Sequence, residues 1–136
     1  MSTVIRADIS ATNPYYISKH RFYELKHFCL QYPEWKKIAA NEIYPGHSEL
    51  GMPRNKTASD PVFDAVARRE LCLKKMAMVE QAAIEASGDI YQYLIKSVTK
   101  NVSYISLQTS LGIPCSRDYF YERYRKFFWI LDRIRE

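Results

Sequence analysis

Arg117, Tyr121 and Arg125 recur at steps of four, with Asp118 and Glu122 beside them. On a helix that step keeps side chains on one face. A guanidinium carries its donors in a fixed planar fork, so an arginine in a groove can bond two acceptors on a guanine edge at once. Lys100, Arg123 and Lys126 are cations nearby, suited to phosphate oxygens, which supply affinity without sequence information. Ser103 and Ser116 stand where helices begin, and backbone N–H groups at such a start donate to phosphate. The set predicts recognition of double-stranded DNA rather than bond-making chemistry. Arg117, Tyr121 and Arg125 are expected on base edges. Lys100, Ser103, Ser116, Arg123 and Lys126 are expected on the backbone.

Other chemistries are weaker in this sequence. His20, Glu24 and His27 share a helical face and carry two nitrogen ligands and a carboxylate. The two histidines, however, lie two turns apart, about 10 Å, too far for one zinc ion. His47 lies next to Ser48 and Glu49, but neighbours in sequence do not make a triad. Cys115 falls at a helix start, a position that lowers a thiol pKa, although packing is its expected role. The aromatic run from Tyr119 to Trp129 could stack on unpaired bases; its regular helical spacing instead predicts core. Only four glycines are present, and no phosphate-cradling or dinucleotide fingerprint can be written with them. The expectation is a protein that is not an enzyme, with no cofactor and no metal.

The elements that must position these residues are all helical, because no strand-like alternation of any length occurs. The expected class is all-α. Residues 1–16 read as a flexible lead-in ending in Asn13-Pro14, a turn signal. Ser18 caps a helix whose face carries Phe22, Leu25 and Cys29, with Phe28 on its flank. Pro33 to Ile43 forms a second helix, since proline suits a first turn. Tyr44 to Asp60, with Pro45, Gly46, Gly51 and Pro53, reads as a long loop. Asp60-Pro61 then starts a helix running to Ser87, apolar over so wide an arc that it needs two packing partners, one of which could be a second subunit. Residues 17–88 are thus a helical scaffold with a potential dimerisation face. Asp89 is expected to cap the next helix, from Ile90 to Thr99, which Lys100-Asn101 closes.

Residues 89–136 form the segment of interest. A short helix capped by Ser103 runs to Leu111, followed by the turn Gly112-Ile113-Pro114 and a helix from Cys115 to Arg135. Gly112 takes positive φ cheaply, Ile113 is placed to plug the core, Pro114 forbids continuation, and Ser116 caps the second helix. Two helices joined by a tight glycine turn are a helix-turn-helix pattern. Phe120, Tyr124, Phe127, Leu131 and Ile134 supply the inner stripe, leaving Arg117, Tyr121 and Arg125 on another face.

The chain carries a net charge of +5, which favours a polyanionic partner. Its longest apolar run, Phe127 to Leu131, is far short of a membrane span. Met1 to Pro14 lacks the cationic and apolar parts of a secretory signal. Cys29, Cys72 and Cys115 form no C-x-x-C pair and read as reduced. These features predict a cytoplasmic protein without a membrane partner.

The run from Val102 to Phe128, with Leu111-Gly112-Ile113 at its turn and Ser116 at its cap, resembles the helix-turn-helix of region four of bacterial sigma factors. It departs from that pattern at Ser106 or Leu107, where alanine is usual. Tyr15 to Lys37 and Ile113 to Trp129, about a third of the chain, resemble the RinA and ArpU late-gene regulators of phages and prophages of Gram-positive bacteria. That resemblance implies a transcriptional regulator in a bacterial host, binding promoter DNA and contacting RNA polymerase. Two other readings are a small terminase subunit for DNA packaging and a protein-binding inhibitor or adaptor of host machinery.

Overall fold

Residues 14–40 and 61–135 are described by a computed structural model. They form six helices: α1 (Lys19–Leu30), α2 (Tyr32–Ala40), α3 (Pro61–Ala86), α4 (Tyr91–Lys100), α5 (Tyr104–Leu111) and α6 (Arg117–Ile134). No strand occurs among the described residues, so the class is all-α. None of these helices is long and apolar enough to cross a membrane.

Local chemistry sets most of the boundaries. Ser18 holds extended backbone, and its Oγ accepts the Arg21 N–H at 3.3 Å, closing one of the four open donors of α1. Pro33 falls in the first turn of α2, as expected. The expected end of that helix at Ile43, the Tyr44–Asp60 loop and the Asp60 cap lie outside the described residues. α3 runs to Ala86, one residue short of expectation. α4 ends on Asn101, a left-handed residue at φ +56° whose N–H returns to the Ser97 carbonyl; a short polar side chain tolerates that conformation.

One expected cap is corrected. Ile90, not Asp89, occupies the cap position of α4, and no side chain bonds the first-turn N–H groups there. Asp89 is held by hydrogen bonds from the Ser87 and Tyr119 hydroxyls.

A single apolar cluster runs through all the helices. Phe22, Leu25 and Cys29 of α1 share this cluster with Val79 of α3, Leu94 of α4 and Phe120, Phe127, Phe128 and Leu131 of α6. Ala82, Ala83 and Ala86 of α3 are almost wholly buried. Their small side chains let α4 and α6 approach the α3 backbone closely. Phe128 meets Phe22 and Phe127 nearly edge-on, with ring centroids 5.0 and 4.9 Å apart. That geometry aligns ring edges with ring faces, adding roughly 0.5–1.5 kcal/mol per pair beyond area burial. Arg21 and Asp132 close α1 onto α6 with a 2.6 Å ion pair, and the Arg135 guanidinium lies 3.9 Å from the centre of the Phe28 ring. Ile134 departs from the expected inner stripe, being 37% exposed at the end of α6. Tyr15, read as lead-in, packs edge-on against Trp129 at 5.6 Å, next to a buried Ile17.

Candidate nucleic-acid interface

The turn between α5 and α6 is built from four local decisions. Ser103 caps α5 by accepting the Ser106 N–H at 3.3 Å. Gly112 ends it at φ +63°, with its N–H on the Gln108 carbonyl at 3.0 Å. Glycine alone takes that conformation without Cβ strain. Ile113 is 6% exposed and points into the core. Ser116 begins α6 by accepting the Tyr119 N–H at 3.2 Å.

Tyr104 and Tyr121 tie the two helices together. The Tyr104 hydroxyl donates to the Cys115 carbonyl at 2.6 Å, across the turn. The Tyr104 N–H, one of the open donors at the start of α5, donates to the Tyr121 hydroxyl at 3.2 Å. Tyr104 also stacks near Phe120, with centroids 5.7 Å apart. Leu107, 1% exposed, fills the space beneath.

These contacts correct the expected base-reading set. Tyr121 is 8% exposed and its oxygen is spent on α5, so its phenol does not reach outward. It serves as a platform: the exposed Arg117 guanidinium stands 5.5 Å from the centre of its ring. Arg117 keeps its outward position, and Arg125 is half-buried.

The phosphate set divides as well. Lys100 is exposed at the end of α4, and Lys126 is half-buried on α6. Arg123 is turned inward. Its Nη1 donates to the Ala86 carbonyl at 3.3 Å, and its guanidinium lies 4.9 Å from the Tyr119 ring centre. It therefore joins α6 to the end of α3. Ser103 and Ser116 use their oxygens as caps, and any contact from these helix starts must come through backbone N–H groups.

A polar knot fixes the base of the motif. Ser87 donates to Asp89, and the Tyr119 hydroxyl donates to both Asp89 oxygens at 3.2 and 3.0 Å. These donors, Ser87 foremost, hold the Asp89 carboxyl below its ordinary range. Cys115 behaves opposite to the helix-start expectation: desolvation, with the nearby Asp89 charge, raises its thiol pKa. The thiol is thus not activated. Burial also raises the Tyr124 phenol.

The outward face of α6 consists of Asp118, Glu122, Arg125, Lys126, Trp129 and Arg133, with Arg117 at its start. Sequence reasoning treated Glu122 as a bystander. Its side chain is 45% exposed, with Oε1 3.6 Å from Arg123 Nε, and the other oxygen of a carboxylate there can accept from a cytosine amino group. The helical wheel carries this signal, since Glu122 falls farther from the core line than Tyr121 does.

His20, Glu24 and His27 line an open groove with Tyr23, Phe28 and Arg135. Glu24 is engaged by Arg21 at 3.1 Å. Among the described residues, no group of three or more histidine, cysteine, aspartate or glutamate side chains is placed to hold a metal ion. No protein-family model, curated protein or solved structure matches the chain.

Proposed function

We propose that this protein binds duplex DNA through α5, the Gly112 turn and α6, as a transcriptional regulator of the phage late-gene type. The observation that carries the reading is the start of α6. A left-handed glycine, a buried Ile113 and a Ser116 cap set a helix against α5, and its first exposed side chain is an arginine held 5.5 Å over a fixed ring. In a helix-turn-helix the N-terminal half of the second helix meets base edges in the major groove. Arg117 is assigned to guanine, Arg125 and Glu122 to the next positions along the groove, and Lys100 and Lys126 to phosphates. Tyr121 positions Arg117, and Arg123 holds the helix to the scaffold. The net charge of +5 supports the same partner.

Fluorescence anisotropy with duplexes of varied sequence tests the proposal. Arg117→Ala should lower affinity for the preferred duplex about 5–150-fold, the equivalent of roughly 1–3 kcal/mol for a bidentate base contact, and flatten the preference. Lys126→Ala should weaken all duplexes alike and reduce the salt dependence by about one counterion. No duplex binding at low salt, with capture of RNA polymerase instead, would transfer the assignment to the adaptor reading. A ring-sized mass with binding confined to packaging-site DNA would transfer it to the terminase reading.

A further inference from the structure

α3 buries one side of its surface against α2, α4 and α6 and leaves another apolar line in solvent. Val66, Leu73 and Ile84 are 37%, 39% and 50% exposed, and Ala77 between them is exposed. Val66 to Ala77 and Leu73 to Ile84 are 11-residue steps, close to three whole helical turns. Val66 and Ile84 stand 18 residues apart, five whole turns, so the line runs almost straight for about 27 Å.

The line is complementary to its own reverse. Turned end for end about position 75, Val66 falls opposite Ile84 and Leu73 opposite Ala77. The bordering charges follow: Arg69 falls beside Glu80, and Glu80 beside Arg69. Each of these residues uses one atom within the chain. Arg69 Nε donates to the Ala39 carbonyl at 2.8 Å, and one Glu80 oxygen accepts from Tyr32 at 2.5 Å. Among the described residues no further bond engages the Arg69 terminal nitrogens or the second Glu80 oxygen, which are available to a partner. A parallel two-fold would instead place Arg69 of one copy and Glu80 of the other on opposite flanks of the seam and about 16 Å apart along it, where they cannot pair. A two-fold interface requires this property, that a surface match itself on rotation.

We infer that α3 packs against α3 of a second copy of this chain, antiparallel and centred near residue 75, through Val66, Leu73, Ala77 and Ile84, with Arg69 and Glu80 paired across the two-fold axis. The inference stands apart from the DNA reading, because mass and cross-linking report it in the absence of DNA.

Light scattering on the full chain should give twice the 16.0 kDa monomer mass. Leu73→Glu, which places a carboxylate on the apolar line, should return it to one copy with helical circular dichroism unchanged. For orientation, cysteines are introduced in a Cys115→Ser background, since Cys29 and Cys72 are buried. Under a mild oxidant, Val66→Cys with Ile84→Cys in one chain should form an interchain disulfide, while neither single variant should. About 27 Å separates the two sites along one helix, and the same distance separates each from its copy in the antiparallel pair. Both exceed the 4.4–6.8 Å Cα separation a disulfide spans. A one-copy mass at every accessible concentration, a mass above two copies, or cross-linking of either single variant would overturn the inference.

Discussion

Replacing Tyr121 with phenylalanine separates a structural role from a nucleic-acid contact, because only one oxygen is removed. That oxygen accepts the Tyr104 N–H at 3.2 Å inside the protein. Tyr121 is 8% exposed, so water cannot readily replace the lost partner. The ring contacts to Phe120 and Tyr124, at 5.0 and 5.7 Å, survive the change, as does the platform under Arg117. What remains is a buried donor without an acceptor, which costs about 1–3 kcal/mol. For a chain of this size a loss near the middle of that range lowers Tm by roughly 5–10 °C. Thermal melts followed by circular dichroism should show that drop. Anisotropy titrations well below Tm should give duplex affinity within about twofold of the parent, less than 0.5 kcal/mol. A variant that melts like the parent but loses an order of magnitude in affinity would refute the reasoning, since Tyr121 would then touch DNA and not α5.

Three further outcomes follow from the same geometry. Gly112→Ala should cost about 1–2 kcal/mol in chemical denaturation through backbone strain alone, because a Cβ there meets nothing within 4 Å while φ stays at +63°; Gly112→Asn should cost less. Asp89 has a lowered carboxyl pKa in the fold, so its stabilisation is complete above the ordinary value of 3.8 and is lost as pH falls through the folded value; melts across the acid range should show that Asp89→Asn removes this part of the acid sensitivity. A fragment spanning 89–136 should give collapsed amide dispersion in NMR and no cooperative melt, because Phe127, Phe128 and Leu131 lose the buried surfaces of α1 and α3 that cover them.

What could be read from the sequence was local. Ser18, Ser103 and Ser116 act within three residues of themselves, and Gly112 acts on its own φ, so their roles follow from residue type and spacing. Ile113 and the inner stripe from Phe120 to Leu131 follow from helical period. The misreadings have the opposite origin. Asp89 looked like a cap because it precedes a helix, yet its donor Tyr119 lies 30 residues onward. Arg123 looked like a surface cation, yet its acceptor is the Ala86 carbonyl, 37 residues back. Tyr121 sits at a step of four from two arginines, but on an α-helix that step drifts by about 40°. The drift carries the three away from the core line, from Arg117 to Arg125, so the wheel does not by itself bury Tyr121; Tyr104 does, through a bond that no window of local pattern contains.

The same long-range contacts determine how the motif can be used. α6 is one helix with two environments: Arg117 at its start stands in solvent, while Phe127, Phe128 and Leu131 near its end are closed beneath α1 and α3. The Arg21–Asp132 pair and the Arg123 bond to Ala86 grip it from two neighbours, and Tyr119 ties its first turn to the α3–α4 junction through Asp89. The arginine-bearing end therefore cannot swing independently of α3. If α3 is also the element on which two copies meet, the separation and relative angle of the two reading helices are set by the length of one rigid helix rather than by a linker. Under the proposed DNA reading, spacing between half-sites would then be selected by the scaffold, and base identity by Arg117 and its neighbours on α6.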